Sequence, residues 1–528
     1  MTKLRYTEEG TVRVIRGCIV IVEGFKNCIN GQVIRFGYGT MGIIIGFDEK
    51  EAQVLIIRQQ SQLKTGDKAL ATLEPFNTPV GDNFIGRIIS PLGEPMDALG
   101  PVKADMMSPI FIDAPSILQR QIVSKTLETG LKVIDSMIPV GFGQRELILG
   151  DKMTGKTTIG TDAIINQKTT GVICIYCCIG KARSSLGKVV QLFIDNECFK
   201  YTTIVSATAA APPGQLYLAP YVACAIGEFW MRKGKDILVV FDDFTKHAWA
   251  YREISLLLER APGRDSYPGD IFYLHSKLVE RAAFLIEEMG GGSMTHLPIV
   301  ETLEGDLTGY IQSNLVSMTD GQIMVSAPLF GEGQKPAVDL GLSVSRVGSK
   351  AQWPIVKKLS GPLRLEYLQY REVLRVSKLK TSGQSEEAEN QLKTGSILTE
   401  LLKQGPAKPI AMEALSMILY AYNKKLLHEL TIEEVIEFQN KILDFVRKRQ
   451  PEMLKKMREL RNIDDDMKKI LDQELDDYIA DVKSKRKDLD LDEEEEKVQV
   501  GVDVLDQATS KKKAGEGKEG QQEKKEKK

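Results

Sequence analysis

Leu147-Ile148-Leu149-Gly150-Asp151-Lys152-Met153-Thr154-Gly155-Lys156-Thr157 decides how the rest of the chain is read. Three apolar residues that suit a buried strand run into a glycine, four variable residues and then Gly-Lys-Thr, the spacing of a phosphate-binding loop between a strand and a helix. A Cβ at Gly150 or Gly155 would obstruct either the turn or the anion that the loop's backbone N–H groups face. Lys156 reaches toward outer phosphates, Thr157 offers a hydroxyl to Mg²⁺, and the helix that follows brings its positive N-terminal end to the same place. Ile159, Ala163 and Ile164 give that helix a buried stripe. The candidate nucleotide-binding residues are Gly150, Asp151, Lys152, Met153, Thr154, Gly155, Lys156, Thr157 and Thr158.

The second half of such a site is an apolar strand ending in a carboxylate that holds Mg²⁺. Ile237-Leu238-Val239-Val240-Phe241-Asp242-Asp243 has that form. Alone, the run reads as a buried parallel strand followed by a helix-capping aspartate. Paired with the upstream loop, Asp242 joins Thr157 as a candidate metal ligand, and Asp243 serves the turn that follows.

Outward from this centre the pattern changes three times. Before Thr72, short β-rich runs such as Val12-Arg13-Val14-Ile15 alternate with turn signals, Asn30-Gly31 being the strongest hairpin signal. Residues 1–72 are expected to form a small β-barrel. Residues 73–353 alternate apolar strands with helical stretches, the mark of an α/β nucleotide-binding domain with a largely parallel sheet and ligands at the carboxyl ends of its strands. Residues 354–482 take helix-period patterns, including a capping box of Thr431 and Glu434 before an apolar face of Val435, Ile436, Phe438, Ile442, Leu443 and Val446, so a helical bundle is expected. Residues 483–528, with the run Asp492-Glu493-Glu494-Glu495-Glu496, are too polar to bury a core and are expected to be a disordered charged tail.

A length of 528 residues calls for several domains. A formal net charge of −2 offers no basic field for nucleic acid, which is not expected as a partner. The amino terminus lacks a signal peptide's apolar stretch, and no run approaches membrane-spanning length, so any membrane role must come through other chains. Of seven cysteines only Cys174, Cys177 and Cys178 cluster, inside an apolar run where buried reduced thiols suit a reducing compartment better than zinc.

A barrel, a P-loop α/β domain and a helical bundle, in that order, resemble the alpha and beta subunits of rotary ATPases. Pro336-Ala337-Val338-Asp339 followed by Ser343-Val344-Ser345-Arg346 matches a signature common to both. Gly341 to Ser349, Tyr267 to Ser276 and Ser317-Met318-Thr319-Asp320-Gly321-Gln322-Ile323 look like the alpha form, and the likeness runs from Glu9 to Ile479. The chain thus resembles F-type ATP synthase alpha subunits. That resemblance implies ATP or ADP with Mg²⁺ as ligands, an alternating hexamer with beta subunits around a gamma-type rotor shaft, and a peripheral position on the cytoplasmic face of a membrane or its matrix or stroma equivalent. It implies that Arg346 reaches the neighbouring beta site as an arginine finger, that Ser317 lies near the same interface, that Gln404 lies near the adenine, and that Ala261-Pro262-Gly263-Arg264-Asp265 forms a bearing around the shaft.

The same resemblance implies that the chain is a non-catalytic subunit, inactive alone. Beta subunits carry a water-activating glutamate where alpha usually has glutamine, and the aligned segment Ile179-Gly180-Lys181-Ala182-Arg183-Ser184 has Lys181. A charged lysine cannot accept the water's proton, and losing a positioned base costs about 10²- to 10⁴-fold in rate. Lys181 is expected either to add charge near the terminal phosphate or to be an exposed loop residue. Other departures are Met153 for glutamine, Lys152 and Lys335 where arginine is common, and Pro406 for a second glutamine. Because the chain enters its first β-rich run almost at once, the family's extra amino-terminal helix, which docks the delta subunit and peripheral stalk, is expected to be missing. A variant hydrolytic motor with a different stator attachment is the alternative expectation. A self-sufficient export ATPase would retain the glutamate, and an RNA motor would need a basic-aromatic cluster.

Overall fold

The computed structural model describes residues 7–379 and 386–484, so the charged tail lies outside the described residues from 485 onward. The amino-terminal strands close into a six-stranded barrel in which Thr7–Arg16, Ile19–Glu23, Glu51–Arg58, Met41–Phe47, Gln32–Phe36 and Lys68–Pro75 are successive neighbours. Alternate residues of these strands, among them Val12, Val20, Val22, Ile34, Ile44, Val54 and Ile56, fill the interior. Asn30-Gly31 does turn the chain, with Gly31 at φ 81°, but it does not make a hairpin. The strands before and after it are not partners: Ile19–Glu23 pairs with the strands Thr7–Arg16 and Glu51–Arg58, and Gln32–Phe36 pairs with Met41–Phe47 and Lys68–Pro75. The local dipeptide specifies a reversal, whereas barrel closure selects the partner.

The central sheet runs in the order Val344–Ser345, Gly321–Val325, Glu146–Gly150, Ser293–Glu301, Asp236–Asp242, Ile173–Ile179, Thr202–Ala207, Ile88–Ile89. Pairing is parallel throughout, except for the edge strand Val344–Ser345 and the short strand Ala283–Phe284 laid against Ser293–Glu301. Strands covered on both faces by helices are withdrawn from water along their whole length, so most of their residues are apolar. Accordingly all of Glu146–Gly150 and Ile173–Ile179 are buried. Because the strands share one direction, Gly150, Ile179, Asp242 and Glu301 end at the same side of the sheet, and the site is assembled there.

After the sheet the chain is helical, through Pro354–Ser360, Leu363–Leu379, Glu386–Leu402 and Met412–Asn423. A first compact unit extends to Leu419 and a second begins at Tyr420. In the second, Thr431 starts the helix Ile432–Arg449 with a capping box, its Oγ1 accepting from the Glu434 backbone N at 3.3 Å while Glu434 Oε2 accepts from the Thr431 backbone N at 2.7 Å. Val435, Phe438, Ile442 and Val446 are buried, whereas Ile436, one residue round the helix from that stripe, is 41% exposed. The seven cysteines are free thiols, with Cys174, Cys177 and Cys178 buried in their strand.

His296, fully buried on Ser293–Glu301, packs edge-on against Phe241 with ring centroids 4.9 Å apart. Burial, and then the charges of Arg281, Arg145 and Arg120, push its pKa down to about 3. The unfolded chain binds this proton below about pH 6.5, so the stability contributed by the neutral ring is full above that pH and is lost as pH falls toward 3. At pH 5 the loss is about 2 kcal/mol. The expected outcome for His296→Leu is a smaller drop in melting temperature between pH 7 and pH 5 than in the wild type, and an equal drop would refute it.

Candidate functional site

The loop after Glu146–Gly150 is shaped by two glycines. A Cβ on Gly150 would run into the Val325 carbonyl and the Thr154 hydroxyl. Gly155, at φ 99°, is the left-handed residue from which the helix Lys156–Ile165 starts, and the space beside it is open. Within the loop Thr154 Oγ1 donates to the Asp151 carbonyl at 2.8 Å, and the buried Lys156 donates its Nζ to the same carbonyl. Burial lowers the Lys156 pKa, an effect the nearby Glu301 carboxylate opposes. Asp151 looks outward from the loop: its Oδ1 accepts Thr302 Oγ1 at 2.7 Å and Gly305 N at 2.9 Å, and Thr302 N in turn donates to the Gly150 carbonyl at 2.9 Å. Lys152, Met153 and Thr158 are exposed, with Met153 at φ 63°. Open space at Gly155, a helix N-terminus and a buried ammonium are the donor set that a phosphate requires.

At the end of Asp236–Asp242 the two halves meet. Asp242 is fully buried, and its Oδ2 accepts Thr157 Oγ1 at 2.7 Å and Tyr176 OH at 2.8 Å. Its Oδ1 lies 2.6 Å from the Lys181 ammonium, which is also 3.4 Å from Asp243 Oδ2. Lys181 is therefore not an indifferent surface residue. Gly180, at φ 66°, turns the chain over Lys246 after the strand Ile173–Ile179, where a Cβ would overlap the Lys246 side chain. Burial pulls the Lys181 pKa down, but Asp242 and Asp243 outweigh it and hold the ammonium charged. Burial pushes Asp243 up to about 6, with Lys181 restraining the rise. Asp243 Oδ1 also caps the helix Phe244–Leu257, accepting Lys246 N at 2.8 Å.

Thr157 and Asp242, the two candidate metal ligands, are hard oxygen donors brought together across 85 residues of sequence. One carboxylate oxygen, however, already faces a cation. Tyr176, Thr302 and Gly305 were not singled out by the sequence, because Tyr176 sits inside an unbroken apolar run and the other two lie in a loop with no motif. Parallel pairing places Cys178 beside Asp242, and this register is the signal that brings the Ile173–Ile179 strand to the carboxylate.

Gln404 is held by its own chain. Its Nε2 donates to the carbonyls of Gly130 and Lys408 at 2.7 and 2.6 Å, and its Oε1 accepts Lys132 N at 2.9 Å. Three residues on, Ala407 N donates to Asp162 Oδ1 of the phosphate-loop helix at 3.0 Å. Arg346 and Ser317 lie apart from the loop, at the amino ends of the strands Gly321–Val325 and Glu146–Gly150 rather than at the carboxyl ends. Arg346 is exposed just after the edge strand Val344–Ser345, and its backbone N donates to the Asp320 carbonyl at 2.9 Å. Ser317, exposed near the end of the helix Tyr310–Met318 and three residues before Asp320, donates to the Asn314 carbonyl at 2.6 Å. The foundation of this edge is tight: Ser345 Oγ donates to the Pro139 carbonyl at 2.7 Å and accepts Gly348 N at 3.1 Å, and a Cβ on Gly348 would overlap that same carbonyl. The segment 261–265 is an exposed loop.

No helix among the described residues is long and apolar enough to cross a membrane. The nucleotide-binding domain of the ATP synthase alpha/beta family matches residues 130–345, and the C-terminal domain of the ATP synthase alpha/beta chain matches residues 352–478. Among curated relatives, ATP synthase subunit alpha of Clostridium acetobutylicum is 42% identical over 477 residues, covering 90% of this chain and 94% of the relative. The same subunit of Clostridium kluyveri is 41% identical over 476 residues, with 90% and 94% covered, and that of Clostridium botulinum strain Alaska E43 is 42% identical over 466 residues, with 88% and 92% covered. With both domains and nearly its whole described length matched, the chain belongs to the ATP synthase alpha/beta family, among the F-type alpha subunits.

Proposed function

We propose that this chain is a non-catalytic, nucleotide-holding alpha subunit that alternates with beta subunits in a hexamer around a gamma-type shaft, peripheral to the membrane on its cytoplasmic, matrix or stroma side. The observation that carries the reading is the ammonium of Lys181 against Asp242 at 2.6 Å, in the segment where a catalytic relative needs a carboxylate to take a proton from water. Lys156 and the N–H groups of the loop would hold the phosphates of ATP or ADP. Thr157 and Asp242 stand where an accompanying Mg²⁺ would neutralise and orient phosphate oxygens, but their oxygens are already engaged with each other and with the Lys181 ammonium, which does not suit a metal site. Gln404 would act near the adenine by fixing the Gly130 and Lys408 backbone rather than by offering a free amide.

Arg346 is the residue by which the chain serves chemistry on a partner. Its exposed guanidinium has no ion pair among the described residues, and the backbone beneath it is fixed to Asp320 and, through Ser345, to Pro139. A planar, permanent charge on a fixed base suits stabilisation of a transferring phosphoryl group in a neighbouring subunit. Ser317 would adjoin the same interface.

Two outcomes are expected. The full-length chain alone shows no ATP turnover above background in a coupled ATPase assay, and appreciable turnover would overturn the non-catalytic reading. In the assembly with its beta partner, Arg346→Ala lowers turnover by about 10³-fold or more while ATP retained on the alpha chain, measured after rapid gel filtration, stays unchanged. Near-normal turnover would remove Arg346 from the mechanism.

A further inference from the structure

We propose that the Lys181 ammonium acts as a built-in cation at the nucleotide site in the place of Mg²⁺, so that this chain binds ATP or ADP with little dependence on divalent metal. The inference rests on the nucleotide reading above and adds to it the form in which the nucleotide is taken.

A P-loop site ordinarily needs the metal because the phosphate tail and the strand-end carboxylate are both negative, and a divalent ion with its waters bridges them. In this chain the bridge is already occupied. Asp242 Oδ1 faces Lys181 Nζ at 2.6 Å, and Oδ2 accepts the Thr157 and Tyr176 hydroxyls at 2.7 and 2.8 Å. The Thr157 hydroxyl that would ligate the metal is spent on the same carboxylate. Mg²⁺ demands near-octahedral geometry and keeps several waters, so entering here requires displacing both an ion pair and a part-buried hydrogen bond.

Lys181 is also poorly able to withdraw. The backbone on both sides is pinned, with Gly180 N donating to the Ala207 carbonyl at 2.7 Å and Ala209 N donating to the Lys181 carbonyl at 2.9 Å. The side chain therefore returns to the carboxylates at an effective concentration that no change in free metal alters. Its ammonium lies one carboxylate away from the Thr157 hydroxyl, and Thr157 directly follows Lys156. The Lys181 side chain keeps 21% exposure, whereas Asp242 has none. Lys156 and Lys181 would then flank the phosphate tail with no metal between them.

The test is equilibrium binding of ATP to the full-length chain, without beta, in millimolar Mg²⁺ and in excess EDTA. In the wild type the two dissociation constants are expected to agree within about threefold, whereas in Lys181→Gln removal of Mg²⁺ weakens binding by about tenfold or more. Lys181→Arg, which keeps the charge, is expected to keep the wild-type insensitivity. A wild type that loses about tenfold in EDTA overturns the inference while leaving the nucleotide site standing. No ATP binding in either condition, or binding that survives Lys156→Ala, overturns the nucleotide reading and this inference with it.

Discussion

Two carboxylates stand side by side at the buried end of a central strand, and one ammonium holds them there. Asp242 and Asp243 have no exposure, and leaving such groups without a counter-charge costs about 3–5 kcal/mol for a broken buried pair. Lys181 supplies the counter-charge and in doing so links two strands and the phosphate loop. Ile173–Ile179 ends two residues before Lys181, Asp236–Asp242 ends at the carboxylates, and Thr157 at the start of the loop helix reaches the same oxygen as Tyr176. In a site with a glutamate at this position, negative charge would accumulate until a metal arrived. Here one ammonium, shared between Asp242 and Asp243, offsets part of that charge within the fold.

The fold was legible wherever the sequence states its own periodicity. The apolar run before Gly150, the strand ending at Asp242 and the capping box at Thr431 are local signals, and they led to a barrel, a P-loop α/β domain and a helical region in the order found. Family membership was legible in the Pro336 to Ser349 segment, where many specified residues fall together. Partner choice between strands was not. Asn30-Gly31 gives a reversal but not a hairpin, because which strand lies alongside depends on closure of the barrel some 40 residues later. Ile436 was placed inside because it is apolar, although the buried stripe at Val435, Phe438 and Ile442 turns it outward.

Within the candidate site the sequence identified the groups but not their company. Gly155, Lys156 and Thr157 were readable from motif spacing, and Asp242 from an apolar strand end once it was paired with that loop. That Lys181 lies on Asp242, that Tyr176 shares the carboxylate with Thr157, and that Asp151 is fastened to Thr302 and Gly305 are long-range facts set by the parallel register. Gln404 shows the same limit from the other side. The resemblance implies a place near the adenine, and what the sequence does not state is that the Gln404 amide ties three backbone groups of its own chain together.

The edge strand just before Arg346 is locked to Pro139 so closely that Gly348 has no room for a methyl group. A residue on such a footing has little freedom to advance or retreat by itself. If Arg346 serves a neighbour's reaction, its arrival and departure must be set by whole subunits shifting against each other, and the timing of each catalytic event then belongs to the ring as a mechanical object rather than to any flexible loop of this chain.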